Sequence, residues 1–236
     1  MRSRDVHATT AGVLFIAATA TALVATAFRG SLLEGSGLLT TVALHQDRLL
    51  MGALFQLIAA FTSAAIAVSL YPVLRQHAAA MALGAVGFRL IEGVFYALSA
   101  VGTLILVRLS DQVAAGASVS ASADLIRDLR DSAGTVGVLA FYTGATIYYL
   151  VFYRSQLIPR WLSAWGLAGT ALGLTAGLLV LFGAIELLSG VQVVLNLPIA
   201  LQEMVLAVWL TAKGFNSTAS EPTVAEWGPP LTRQHA

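Results

Sequence analysis

The chain has 236 residues, of which 58% are hydrophobic and only 11% are charged, and its formal net charge is +1. Soluble domains carry about 25% charged residues, so this composition excludes an ordinary soluble core and indicates a polytopic membrane protein. The small net charge offers no basic surface for nucleic acid. Without cysteine there are no disulfides or thiolate ligands, and the four histidines lack metal-ligand spacing, so neither a metal site nor a cofactor is expected.

Six apolar runs follow one another along the chain, and each is long enough to cross a bilayer, which takes about 17–25 residues. The predicted spans cover residues 11–28, 49–71, 80–107, 135–153, 161–185 and 191–212. The sequence therefore predicts an all-α fold, a polytopic membrane bundle of six transmembrane helices over residues 1–214. A disordered polar tail is expected over residues 215–236.

The first run follows a basic N-terminus and ends in Ala25-Thr26-Ala27, which is similar to a signal-peptidase site. Signal-peptide cores have about 7–15 apolar residues, and this run is longer, which favours an uncleaved first span. Cleavage is the alternative.

The connections between spans are predicted from turn residues and charges. Pro72 is expected to help end the second span, with a turn at 75–77. A long charged loop is expected over 108–134, and its part from 122 to 132 is a candidate amphipathic helix. A tight basic turn is expected at 154–160.

The orientation follows from Lys and Arg near the span ends, which favour the cytoplasmic side. Both termini are predicted to be cytoplasmic, in the cell inner (plasma) membrane. The inner segments then hold Arg2, Arg4, Arg75, Arg154, Arg160 and Lys213, and the outer segments hold Arg29, Arg48, Arg108, Arg127 and Arg130.

Two charged residues lie in the middle of the third span. Arg89 and Glu92 are separated by three positions, so on a helix they share one face. A charge near the bilayer centre costs at least about 2.5–3.5 kcal/mol on insertion scales. The pair is therefore expected to face the protein interior or a water-filled cavity.

The sixth span carries a polar stripe of Gln192, Asn196 and Glu203. At 1.5 Å per residue, Arg89 and Glu203 both lie roughly 14 Å from the cytoplasmic edge, so they are expected to meet if spans three and six are neighbours. Two acids then share one arginine. Ionising all three groups leaves one buried negative charge, so the set is expected to retain one proton.

Further polar residues are candidates for the same interior. Span two offers Gln56 and Ser63, and span four offers Tyr142 and Thr146, whereas Tyr149 and Tyr153 also fit an interfacial aromatic belt. The acids Glu92 and Glu203 are candidates for catalysis. The residues predicted to bind a ligand are Arg89, Glu92, Glu203, Asn196, Gln56 and Tyr142.

Three blocks resemble DUF4386, a family of uncharacterised bacterial membrane proteins. They are Phe88-Arg89-Leu90-Ile91-Glu92; Tyr153-Arg154-Ser155 with Ile158-Pro159-Arg160; and Pro198, Glu203, Leu206-Ala207-Val208-Trp209-Leu210 and Lys213-Gly214. The blocks are spread over most of residues 10–215. The resemblance implies a helical integral membrane protein, and the family name states that the activity is unknown. The Ala/Ser-rich stretch 112–123 departs from the family pattern.

Three classes of function fit these residues. The first is binding or transport of a small lipophilic or cationic molecule, with polar stripes lining the cavity. The second is a membrane enzyme that uses a buried carboxyl as general acid on a lipid or isoprenoid. The third is a structural or regulatory membrane protein whose ion cluster only sets the fold. The expected partners are membrane lipid and a small lipophilic ligand, and the oligomeric state is left open.

Overall fold

A computed structural model describes residues 6–35, 37–114 and 120–216, and in these ranges every regular element is a helix. Five helices are long and apolar enough to cross a membrane. This finding confirms the predicted all-α membrane bundle. The helices are α1 (Val6–Arg29), α2 (Leu38–Leu44), α3 (Gln46–Ala114), α4 (Ser120–Ser155), α5 (Arg160–Leu181) and α6 (Gly190–Ala212).

Helix α3 supplies two of the membrane-length segments because it folds back on itself. Its 69 residues contain one non-helical position, Ala78, with φ −159° and ψ 81°. The first arm (46–77) and the second arm (79–114) run antiparallel. Gln46 Nε2 donates to Ser110 Oγ at 3.2 Å at the far end of the arms, and Gln56 Nε2 donates to the carbonyl of Tyr96 at 3.3 Å nearer the middle.

The reversal at Ala78 corrects two predictions about the second span. Pro72 lies inside α3 and does not end it, because a proline removes one backbone donor and transmembrane helices tolerate that loss. The turn predicted at 75–77 is helical, and the chain reverses one residue later.

The long loop predicted over 108–134 is largely wrong as well, whereas the helix predicted within it, at 122–132, is present as the start of α4. Helix α3 continues to Ala114 and α4 already begins at Ser120. The reason is that the start of α4 is amphipathic: Asp124 and Asp128 are exposed, whereas Ala123 and Arg130 on the opposite side are buried. Charges on one face lower the hydropathy of the sequence without interrupting the helix.

The predicted fifth span, 161–185, is too long at its C-terminal end. Helix α5 ends at Leu181, and Gly183 follows with φ +68°. The amide of Gly183 donates to the carbonyl of Val180 at 3.0 Å, and that of Ala184 donates to the carbonyl of Leu179 at 2.8 Å. This is a Schellman motif, which needs a left-handed residue such as glycine after the helix.

The first residues of the predicted polar tail are attached to the bundle. Phe215 is buried, and the amide of Asn216 donates to the carbonyl of Leu157 at 2.9 Å. The remainder of that prediction, residues 217–236, lies outside the described residues.

The helices form a closed ring. Helix α1 packs on α3 and α6, α3 packs on α4, and α5 lies between α4 and α6. The ring closes tightly at Gly12 of α1, where a Cβ atom would stand only 2.7 Å from the carbonyl oxygen of Ala207 in α6. Helices α3 and α6 do not pack closely against each other, and they face each other across the centre.

Two apolar cores fill opposite ends of this ring. The larger core lies at the end where α1 begins and α6 ends, and the smaller one lies beside α2. Members of the larger core include Phe15, Leu70, Tyr148, Phe152 and Leu206, and members of the smaller include Leu38, Leu49 and Leu106. The polar residues of the centre lie between them.

Candidate functional site

Arg89 projects from the second arm of α3 into the centre of the ring, where it is 2% exposed. Its Nη1 donates to Ser63 Oγ at 2.8 Å and to Glu92 Oε2 at 3.0 Å. Its Nη2 donates to the hydroxyl of Tyr148 at 3.0 Å. The guanidinium carbon also lies 4.6 Å from the centre of the Phe141 ring, at cation–π distance. The charge is thus held by side chains from both arms of α3 and from α4.

The two acids that share Arg89 are held unequally. Glu92 is one turn away on the same helix and accepts a charge-assisted hydrogen bond at 3.0 Å. Glu203 comes from α6, and its Oε1 lies 3.6 Å from Arg89 Nη2 and 3.4 Å from the Tyr148 hydroxyl. Hydrogen bonds of this kind are usually 2.7–2.9 Å long, so Glu203 is the loosely held carboxyl. Arg89, Glu92, Glu203, Ser63 and Tyr148 are called the Arg89 cluster below.

The contact predicted between spans three and six exists only through side chains. Arg89 and Glu203 form an ion pair across the centre, although α3 and α6 do not pack against each other. Tyr148 of α4 bridges the pair, because its hydroxyl accepts from Arg89 and donates to Glu203. Two long side chains and a tyrosine thus replace the helix contact on which the prediction depended.

Helix α4 sends further tyrosines toward α6. The Tyr142 hydroxyl donates to Asn196 Oδ1 at 2.8 Å, and the Tyr149 hydroxyl donates to Gln202 Oε1. Tyr149 is fully buried, so the aromatic-belt interpretation is wrong for it, whereas Tyr153 is 41% exposed. Helices α4 and α6 therefore run parallel, because residues later in α4 bond to residues later in α6.

Sequence reasoning missed Tyr148 and Gln202 as members of the centre. Each is the neighbour of a residue that was singled out, Tyr149 and Glu203. Adjacent residues on a helix point about 100° apart, so a single polar stripe leaves one of them out. A signal was present nonetheless: two polar doublets on parallel helices can pair residue by residue, as they do here.

A cavity of about 240 Å³ lies beside the Arg89 cluster. Five of the residues predicted to bind a ligand border it, namely Arg89, Glu92, Glu203, Asn196 and Tyr142. The sixth, Gln56, does not border the cavity. It is half-buried between the arms of α3, and its side-chain amide donates a hydrogen bond to the Tyr96 carbonyl. The structure therefore gathers most of the predicted site in one place, and its role in binding or catalysis stays a prediction.

The described part of the chain contains no candidate metal site. Within 6–35, 37–114 and 120–216, no group of three histidine or acidic side chains is placed to hold a metal ion.

The model of one protein family matches the chain. It is described as a domain of unknown function, DUF4386, and the match covers residues 10–214. These include the whole cavity lining and every transmembrane helix except the first four residues of α1. No curated protein and no solved structure matches the chain.

Proposed function

We propose that this chain, which belongs to the DUF4386 family, binds a small lipophilic or cationic molecule in the centre of its transmembrane bundle. The observation that carries this proposal is the cavity, because all three charged residues of the Arg89 cluster border it. An ion cluster that only fixes helix packing needs no adjoining space. Ionisable residues inside a membrane protein are expensive and commonly mark a ligand or ion path.

The composition of the lining supports the same function. Ligand pockets are mostly apolar with a few convergent polar groups. Here Phe15, Ile66 and Ile199 supply apolar surface, and Asn196 and Glu203 supply polar atoms from one helix. Such a lining suits a molecule with a hydrocarbon part and a polar head.

A membrane enzyme is the second candidate, and one observation favours it. Glu203 borders the cavity and is the less tightly held of the two acids. A buried carboxyl in that position can act as general acid on a bound lipid or isoprenoid. Incubation of the protein with its own bound molecule, followed by mass spectrometry, separates the two functions, because only an enzyme converts it.

We further propose an inner-membrane location with both termini in the cytoplasm, on the basis of the arginine and lysine distribution. Reporter fusions after Gly214 and within 112–122 test the orientation. The C-terminal fusion should report from the cytoplasm and the internal one from outside. An external signal after Gly214 would refute it.

The ligand itself is best sought by native mass spectrometry of protein released from its own membrane. We expect the wild type to carry a bound small molecule and Glu203→Gln to lose most of it. Glu186→Gln is the matched control, because Glu186 is exposed in the turn between α5 and α6 and does not border the cavity. A wild type with no bound mass, or with one that both variants keep, contradicts the proposal.

A further inference from the structure

The cavity opens sideways between α1 and α6. The two helices are in close contact near the start of α1, where Ala8, Ala11 and Phe15 are buried. Farther along α1, Ala22 and Leu23 border the cavity and are nevertheless exposed. The surface of a transmembrane bundle at this height faces hydrocarbon, so the opening leads into the bilayer.

The opposite rim of this opening belongs to α6. Ala200 is exposed and borders the cavity, one turn before the buried Glu203. The stretches 18–26 of α1 and 196–203 of α6, which flank the opening, are called the α1–α6 cleft. A molecule in the cleft would have its outer part among lipid chains and its inner part at the Arg89 cluster.

The size of the cavity limits what can lie wholly inside. Pockets for drug-sized ligands measure about 300–1,000 Å³, whereas this cavity measures about 240 Å³. A head group and a few carbons fill it. The rest of a longer molecule must extend through the cleft, which requires a chain that is soluble in the bilayer.

The charge of the lining selects the head group. Among the residues that border the cavity, one is cationic and two are acidic, so the ionised set carries one negative charge. Glu92 is matched by Arg89 at 3.0 Å, whereas Glu203 is held at 3.6 Å. A monovalent cation beside Glu203 completes the set, and an anionic head would add to the two carboxylates. Charge complementarity of this kind determines specificity.

We propose that the α1–α6 cleft admits a single-chain amphiphile with one positive charge directly from the bilayer. The cationic head pairs with Glu203, and the chain lies along Ala22, Leu23 and Ala200. This inference rests on the proposed binding function and adds the ligand class and the route.

The test uses a photoactivatable long-chain primary amine in phosphatidylcholine vesicles that contain the full chain. An alcohol and a carboxylic acid with the same chain and photoreactive group are the comparison probes. We expect the amine to label 18–26 and 196–203 and to exceed both other probes. Equal labelling by all three, or a preference for the acid, overturns the charge assignment.

Two variants with matched controls separate the head site from the route. Glu203→Gln should lower labelling by the amine about tenfold or more, because a desolvated charge pair is lost, while Glu186→Gln should not. Ala200→Phe should obstruct the cleft and reduce labelling. Ala171→Phe adds the same ring at an exposed alanine of α5 that does not border the cavity, and it should leave labelling unchanged.

The outcomes distinguish this inference from the proposed function. Equal labelling of Ala200→Phe and Ala171→Phe overturns the lateral route, even if native mass spectrometry still finds a molecule that depends on Glu203. If correctly folded wild type carries no bound molecule and is not labelled by the amine, the binding function is refuted as well. Size-exclusion profiles of all four variants establish that each one is folded.

Discussion

Two arginines are buried in this bundle, Arg89 and Arg130, and their positive charges are satisfied by different sets of partners. They are 2% and 3% exposed, and each donates to a buried hydroxyl: Arg89 to Ser63 Oγ at 2.8 Å, and Arg130 Nε to Thr103 Oγ1 at 2.9 Å. Each also has a carboxylate close by on its own helix. The difference lies in what surrounds these pairs.

Depth explains the difference. Arg130 lies near the start of α4, and its acid, Asp131, has a side chain that is 40% exposed. Water can therefore complete the solvation of that pair. Both acids of Arg89 are buried, so the protein itself must supply Tyr148, Ser63 and the second carboxylate. A charge in the middle of a bundle needs a network of buried partners, whereas one near its end needs only a hydroxyl and one acid that water can reach.

The largest effect is expected from Arg89→Ala. The change leaves Glu92 and Glu203 buried without their cation, and breaking a buried pair typically costs about 3–5 kcal/mol. We expect a low folded yield and a lowered unfolding temperature by scanning fluorimetry in detergent. Arg127→Ala is the control, since the Arg127 side chain is 27% exposed and its pair with Asp124 at 3.4 Å is near the surface. Similar effects from both changes would contradict the cluster as a structural unit.

Arg130→Ala should cost less, about 2–3 kcal/mol, because it removes a charged hydrogen bond to Thr103 but leaves an acid that water can reach. The same fluorimetry measures it beside Arg89→Ala. If Arg130→Ala is the more damaging of the two, depth does not control how these arginines are satisfied.

Tyr148→Phe tests the network that distinguishes Arg89 from Arg130. It removes the hydroxyl that bridges Arg89 and Glu203 and keeps the ring. We expect a loss of about 1.5–2 kcal/mol in unfolding free energy. This is the lower part of the range of about 1.5–3 kcal/mol for hydrogen bonds to charged groups, because the bond to Glu203 is long, at 3.4 Å. Tyr153→Phe on the exposed side of α4 is the matched control. An unchanged stability would show that the bridge contributes nothing.

The smallest effect is expected from Glu203→Gln, below about 1 kcal/mol. The amide keeps the shape of the side chain, and Arg89 remains paired with Glu92 at 3.0 Å. Unfolding temperature is again the measurement. A loss as large as that of Arg89→Ala would mean that Glu203, despite its 3.6 Å distance, holds the bundle together.

The transmembrane segments and the placement of Arg89 with Glu92 were predictable from local sequence. Hydrocarbon excludes unsatisfied backbone and unpaired charge, so a long apolar run must be helical and a charge within it must face inward. The equal depth of Arg89 and Glu203 was likewise a matter of counting residues. These features depend only on the hydrocarbon core of the bilayer, so they can be read from local sequence without knowledge of the neighbouring helices.

The bounds of the helices were predictable only in part. The amphipathic helix predicted at 122–132 is present, but the low hydropathy of 108–134 concealed that it is the start of α4 and continuous with the fourth span. Arg130 is buried on this part of α4 and does not lie in a loop. Ala123, Arg130 and Ala133 are buried because this part of α4 packs against the second arm of α3. There the Thr103 hydroxyl accepts a hydrogen bond from Arg130. The mean hydropathy of a stretch of sequence indicates whether it can lie in lipid. It does not reveal a charged helix that packs against another helix.

The rest was decided by tertiary structure. Apolar runs of similar hydropathy do not specify which helices are neighbours or how each is rotated, since in lipid these depend on close packing between particular side chains. That packing keeps α3 and α6 apart, places Tyr148 between Arg89 and Glu203, and turns Gln56 toward the backbone of Tyr96. It also leaves a cavity beside the cluster, bordered by residues of α1 and α6. The sequence by itself determined that buried charges must be satisfied, and only the fold decided which side chains satisfy them and where space remains.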